Sequence, residues 1–163
     1  MFLFSGLHAE IQQNYFLCIR VLVHPPLIGS VTIHLIDEND QSPTFDIRTV
    51  LLTVVERDTG QRLLAKMQAF DRDVDPRNNQ IVYSLNERLT DQEAIGKFFV
   101  NNDGTVWTNR TFSREHDKSF YRIFIRASDT ALAWNSRFIS NFQDFQFDIQ
   151  IILVNAKKPG RTL

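Results

Sequence analysis

The sequence predicts an all-β protein, a Greek-key β-sandwich of about seven strands. Three observations carry this. Apolar residues recur at every second position in one segment after another, short turn-forming clusters part the segments, and no stretch sustains a helical period. The alternation is cleanest where Phe145, Phe147, Ile149, Ile151 and Leu153 are interleaved with Gln146, Asp148 and Gln150.

In chain order, Val31, Ile33 and Leu35 alternate with Thr32 and His34, which predicts a half-buried strand. Shorter strands are expected at Val50 to Val55, Leu63 to Phe70, Ile81 to Leu85 and Thr105 to Thr108. Tyr121, Ile123, Ile125 and Ala127 alternate with Arg122 and Arg126, and the run from Phe145 closes the series. Asp58-Thr59-Gly60 and Asn102-Asp103-Gly104 supply turns, because Asp and Asn tolerate tight backbone and Gly accepts positive φ. Residues 91–95 are expected to form one helical turn.

Pro43 marks a boundary. The roughly forty residues before it hold two or three strands, too few for an independent sheet with a core. The 115 or so after it suffice for a sandwich. An internal echo supports this division. Leu7-His8-Ala9-Glu10 followed by Tyr15-Phe16-Leu17 parallels Phe112-Ser113-Arg114-Glu115 followed by Tyr121-Arg122-Ile123. Likewise, the stretch from Ile33 to Pro43 parallels that from Ile149 to Pro159, each ending on Asn and then Pro four residues later. Copies about 110 to 116 residues apart mean a repeat of domain length. The expected organisation is the end of one repeat over residues 1–40, a linker over 41–45, and a whole repeat over 46–159.

Composition excludes more than it assigns. The 163 residues are 43% hydrophobic with 14 Phe, enough to build a core. With 18 Lys and Arg against 19 Asp and Glu the net charge is -1, so a nucleic-acid partner is not expected. Cys18 is the single cysteine, which excludes an intrachain disulfide and a cysteine zinc site, and Phe16-Leu17-Cys18-Ile19 predicts it buried. No run approaches the ~20 apolar residues that span a bilayer, and Met1-Phe2-Leu3-Phe4 is too short for a signal core. The chain therefore reads as a fragment, with any export signal and anchor outside it. His8, His24, His34 and His116 show no metal-ligand spacing and are read as structural. No nucleophile elbow, phosphate loop or zinc-protease motif occurs, so neither enzymatic activity nor a small-molecule substrate is expected.

Acidic residues are clustered at Asp37-Glu38-Asn39-Asp40, at Asp71-Arg72-Asp73, and at Asp129, with Asn78-Asn79 nearby in the chain. Asp-x-Asp on a turn lets two carboxylates converge on one hard cation. Without a cation, two carboxylates about 5 Å apart repel by roughly 3 kcal/mol at an effective dielectric of 20. The bland alternative for any one cluster is a solvated turn. An EF-hand is rejected. Aligned from Asp71, its glycine position holds Pro76 and its terminal glutamate position holds Val82.

Asp37-Glu38-Asn39-Asp40-Gln41-Ser42-Pro43-Thr44-Phe45 resembles the cadherin inter-repeat linker, Asp-x-Asn-Asp-x-x-Pro-x-Phe. Ala69-Phe70-Asp71-Arg72-Asp73, Asn78, Tyr83-Ser84-Leu85, Asp103-Gly104-Thr105-Val106, Ser113-Arg114-Glu115 and Ala127-Ser128-Asp129 resemble that family's further motifs, in order. What the resemblance implies is a cadherin-like, immunoglobulin-like sandwich and a calcium site shared between repeats, typically of three ions. The preceding repeat would supply Glu10, the linker Asp37, Asn39 and Asp40 with Glu38 and Gln41 as lesser donors, and the following repeat Asp71, Asp73, Asn78 and Asp129. Glu56 would face the far end. The chain also departs from the pattern. His8 and Val23 replace acidic positions of the first repeat, and Ser113 replaces the Asp of Asp-Arg-Glu. The second linker has Leu153, Asn155 and Ala156, then Lys157 and Lys158, so its far end is not expected to hold three ions.

The resemblance thus implies calcium-dependent adhesion or recognition between cadherin molecules, homophilic or heterophilic. Its place would be the extracellular side of the plasma membrane, with the anchor in other parts of the parent. A calcium-stiffened spacer without adhesive contacts, and a secreted sandwich that binds a ligand without calcium, are the competing classes. Asn109-Arg110-Thr111 is an N-glycosylation sequon, and Trp107 and Trp134 are either packing residues or adhesive anchors.

Overall fold

A computed structural model describes residues 6–47, 49–55, 60–113, 115–129, 131–132, 138–139 and 141–152. Two antiparallel strands, β1 (Asn14–Val21) and β2 (Leu27–His34), form a hairpin. After it come β3 (Thr44–Phe45), β4 (Thr49–Val55), β5 (Arg62–Lys66), β6 (Ala69–Phe70) and β7 (Ile81–Leu85). A 3₁₀ turn at Gln92–Ala94 precedes β8 (Phe98–Val100), β9 (Thr105–Thr108) and β10 (Phe120–Asp129). The series ends with β11 (Ala131–Leu132), β12 (Phe138–Ile139) and β13 (Phe142–Ile152). Among the described residues no helix is long and apolar enough to cross a membrane.

The larger sheet runs β4-β13-β10-β7, parallel only between β4 and β13, and the smaller runs β5-β9-β8. This is the predicted sandwich. Alternation accounts for the layering, because successive side chains leave a strand on opposite faces. On β10, Tyr121, Ile123, Ile125 and Ala127 are fully buried, and Phe145, Phe147, Ile149 and Ile151 of β13 join them. Val106 of β9, Phe98 of β8, Ala69 of β6 and Met67 just before it belong to the same core. Each large side chain so buried contributes about 1.5–3 kcal/mol. Phe98 stacks on Phe112 at 5.5 Å between centroids and meets Tyr121 edge-on at 5.6 Å, closing one end of the core.

The Asn102-Asp103-Gly104 turn forms as expected. Gly104 has φ 84°, and an added Cβ would lie 2.6 Å from the Met67 carbonyl oxygen. The expected strand from Leu63 to Phe70 is instead two, β5 and β6, broken at Met67-Gln68 where Met67 N–H bonds the Gly104 carbonyl at 2.8 Å. Strands β3 and β8 were not predicted, being too short to show a period.

Cys18 requires a correction, since it is exposed. In the β1–β2 register Tyr15, Leu17, Ile19 and Val21 share a face with Ile33, Val31, Gly29 and Leu27. Cys18 lies on the opposite face with Asn14, Phe16 and Arg20. Two strands alone cannot bury either face, and even on the apolar one Leu27 is 63% and Ile19 50% exposed. Glu56, Asp58, Thr59, Arg114, Trp134 and the second linker at Leu153, Asn155, Ala156, Lys157 and Lys158 lie outside the described residues.

Candidate metal centre

Three segments without regular structure meet where the hairpin leads into the sandwich. The first is the stretch after β2. Asn39 is 4% exposed and Pro43 is fully buried, which pins this stretch at both ends. Asn141, at the start of β13, donates from Nδ2 to Asn39 Oδ1 at 2.6 Å and to the Gln41 carbonyl at 2.8 Å. Asn39 Nδ2 in turn donates to Asp129 Oδ1 at 2.7 Å.

The second segment follows β6. The Asp73 N–H donates to Asp71 Oδ1 at 2.9 Å, an Asx turn that sends both carboxylates inward. It continues through Asp75 to Asn79, held by Asn78 N–H on the Asp75 carbonyl at 2.8 Å and Asn79 Nδ2 on the Asp73 carbonyl at 2.9 Å. From this turn, Asp75 N–H and Asn78 Nδ2 each donate to Asp37 Oδ2 at 2.8 Å. The third contribution comes from before the hairpin, where Glu10 sits in a turn closed by Ile11 and Gln12 N–H on the His8 carbonyl, each at 3.1 Å.

Carboxylate oxygens of Glu10, Asp37 and Asp73 lie within 4.8 Å of one another. Asp71 adjoins Asp73 through the Asx turn and Asp129 through its side chain. Asp40 adds its charge near Asp73, and with His8, Glu10 and Glu38 it lines a cleft of about 210 Å³. All eight residues singled out in the sequence, Glu10, Asp37, Asn39, Asp40, Asp71, Asp73, Asn78 and Asp129, therefore fall in one contiguous polar assembly. Asn39 and Asn78 are engaged as hydrogen-bond donors within it.

The electrostatics are unfavourable as they stand. Burial, and next the charge of Asp71, push the Asp73 carboxyl up to about 7, with Asp37 and Asp40 adding to the rise against the Gln41 N–H that opposes it. Burial chiefly raises Asp71 as well, reinforced by Asp129 and resisted by the Asp73 N–H. Asp37 Oδ1, Asp71 Oδ2 and Asp73 Oδ2 are buried without a hydrogen-bond partner among the described residues. A buried carboxylate oxygen with neither donor nor water is costly, and an all-oxygen set of this kind suits a hard divalent cation.

Sequence reasoning missed Asn141. It stands immediately before the alternating run from Phe142, and nothing local marks it as a contact of Asn39 a hundred residues away. Asp75 was also missed. Its carboxyl is held down at about 2 by the Arg77 guanidinium and N–H, so its side chain faces away while its backbone serves Asp37. His8, read as structural, is exposed with Nδ1 3.7 Å from Glu10 Oε2.

No family model matches the chain. Among curated relatives, protocadherin Fat 2 of Rattus norvegicus is 28% identical over 131 residues, 76% of this chain and 3% of that protein. Protocadherin alpha-11 of Homo sapiens is 32% identical over 107 residues, 64% of this chain and 11% of that protein. The chain is similar in sequence to members of the cadherin superfamily. Solved structures agree on the cadherin fold. Mouse protocadherin-24 EC1-3 superposes with a TM-score of 0.78 at 17% identity, covering 91% of this chain and 47% of that one. A protocadherin gammaB7 EC3-6 structure, described as a cis-dimer, gives 0.72 at 23% identity over 91% of this chain and 35% of that one. Cadherin repeats are adhesion domains rather than enzymes, as the absence of catalytic motifs led us to expect. The chain spans a small fraction of the curated relatives it matches.

Proposed function

We propose that this chain is an inter-repeat segment of a cadherin ectodomain whose linker binds calcium, and that it serves calcium-dependent adhesion between cadherin molecules at the outer face of the plasma membrane. Residues 1–40 are read as the end of one repeat, 41–45 as the linker and 46–159 as the next. One observation carries the reading. Three buried carboxylate oxygens without hydrogen-bond partners, on Asp37, Asp71 and Asp73, occur where the hairpin joins the sandwich.

Glu10, Asp37 and Asp73 would hold one centre, and Asp71 and Asp129 an adjoining one. Asp40 lies at the mouth, and Asn39 and Asn78 fix the carboxylates beside them. Calcium suits the site better than magnesium, which demands near-ideal octahedral geometry and keeps its waters. When bound, calcium supplies the positive charge that offsets mutual repulsion among these carboxylates. Glu10 lies before the hairpin, Asp37 after it, and Asp73 within the sandwich, so ligation by all three ties the hairpin to the sandwich at a fixed angle. Extracellular calcium modules bind at ~10⁻⁴ to 10⁻³ M, a range filled outside cells.

Isothermal calorimetry on the chain preceded by a whole repeat is expected to show binding at millimolar calcium or tighter, weakened at least tenfold in Asp40→Ala. Absence of binding heat in the parent protein would overturn the calcium reading. Bead aggregation with and without calcium then separates an adhesive role from that of a stiffened spacer. Aggregation that needs calcium supports the first, and none supports the second.

A further inference from the structure

Away from the linker, the outer face of the small sheet carries an apolar stripe. In register across the three strands stand Leu63 of β5, Trp107 of β9 and Phe99 of β8. Leu63 is 48% and Phe99 41% exposed, and Trp107 between them is half-buried. The indole N–H of Trp107 is shut off from solvent and has no acceptor among the described residues. What this residue offers outward is therefore carbon, not a hydrogen bond.

Two positions along the same strand direction lies Asn109, in Asn109-Arg110-Thr111, with all three residues exposed. Along β9, Val106 and Thr108 are buried and Trp107 faces out, and Asn109 is the first residue past the strand, exposed and two positions from Trp107, where the same alternation carried one residue further falls on the Trp107 side. Positions i and i+2 on a strand are roughly 7 Å apart, within reach of a sugar attached to the Asn109 amide. The sequon is anchored beyond by the fully buried Phe112, over whose ring the Arg110 guanidinium sits at 5.6 Å, which leaves Asn109 and Thr111 open to a transferase.

We propose that Asn109 carries an N-linked glycan whose first N-acetylglucosamine lies on the outward carbon face of Trp107 and covers the Leu63–Trp107–Phe99 stripe. In the modification, Asn109 Nδ2 loses one proton and forms a bond to the anomeric carbon of the sugar. The bond that breaks joins that carbon to a lipid pyrophosphate, which departs with the electron pair, and nothing is oxidised or reduced. The axial C–H face of a pyranose is apolar and matches an aromatic ring, while its hydroxyl groups stay in water. A stripe that would otherwise be open apolar surface is thereby shielded by the chain's own modification.

The proposal rests on the extracellular placement given above, and its test is kept separate by directing the chain into the secretory lumen with an appended signal. The full chain is expected to gain a mass that is removed by a peptide-N-glycosidase, which releases the glycan with its first sugar from Asn109, and that is absent from Asn109→Gln and Thr111→Ala. In the glycosylated chain the acetamide methyl resonance of the first sugar is expected to shift upfield through the indole ring current, and to return to its free position in Trp107→Val. The glycosylated form is expected to melt a few degrees above the enzymatically deglycosylated form, a difference lost in Trp107→Val. An unmodified Asn109 in the secreted chain would overturn the proposal. So would a glycan whose methyl resonance is unshifted in the parent chain, a measurement that needs no variant to fold. Failure of calcium binding, by contrast, would bear only on the linker.

Discussion

At the residue scale, Asp73 couples the site to pH. Burial, and next the charge of Asp71, push its carboxyl up to about 7 from the 3.8 of an unconstrained aspartate. The folded state therefore holds this proton more tightly than the unfolded state does. The stabilisation from Asp73 is fully present below its unfolded value and is lost as pH rises towards 7, on the order of a few kcal/mol. A cation must displace that proton. Calcium affinity is accordingly expected to rise with pH, by up to about tenfold per unit below 7, and to level off above it. Calorimetry at several pH values checks this, and a flat profile would contradict the buried setting of Asp73. Asp73→Asn is expected to act in opposite senses. It removes a charge that nothing neutralises, so the melting temperature without calcium should rise at pH 8. It also removes one of the carboxylates proposed to bind calcium, so the further rise on adding calcium should shrink or vanish.

At the scale of elements, the end of the sandwich away from the linker is held by a buried carboxylate, Asp117, paired with Lys97 and Arg110. Asp117 sits between β9 and β10 with its side chain 2% exposed, and Lys97 Nζ approaches it at 2.8 Å. Burial alone would raise the Asp117 carboxyl, but the Lys97 ammonium, the Ser113 N–H and the Arg110 guanidinium together hold it below the ordinary range. Tyr121, fully buried, joins through its hydroxyl, which donates to Asp117 Oδ1 at 3.2 Å. Removing one partner strands the other, so Asp117→Ala is expected to cost about 3–5 kcal/mol, read by urea unfolding. A loss under 1 kcal/mol would mean that Lys97 finds solvent easily. The hairpin is the opposite case. Its apolar face is open at Leu27, Ile19 and Val31, and a lone two-stranded sheet is marginal in water. Amide exchange is therefore expected to be fast over residues 14–34 and slow over β10 and β13. Comparable protection in both would show that something covers the hairpin in solution.

At the scale of the molecule, calcium and stiffness are one question. Glu10 and Asp37 flank the hairpin and Asp73 belongs to the sandwich, so a cation shared among them resists bending between the two. Each ion at ten times its Kd adds about 1.4 kcal/mol to the aligned state. Small-angle scattering of the chain with a whole preceding repeat is expected to show a longer, narrower particle in calcium than in chelator. Identical profiles would separate ion binding from rigidity and leave the linker without a mechanical role.

The sequence by itself determined the class of fold and the strands that build its core. Alternation is a local property, so Tyr121 to Ala127 and Phe145 to Ile151 could be assigned to an inner face without knowledge of their partners. Motif order likewise singled out the eight residues that the fold gathers into one polar assembly, because Asp-x-Asp and the Asp-x-Asn-Asp linker keep their spacing along the chain. Only the tertiary structure decided what surrounds them. That Asn141 grips Asn39, that the Asp75 N–H serves Asp37, and that Cys18 stands exposed on a two-stranded hairpin all depend on how segments are arranged in space. The same holds for Asp73, whose acidity follows from burial and from which carboxylates lie beside it. Burial and Coulomb interaction are properties of positions in space, and a sequence states only positions along the chain.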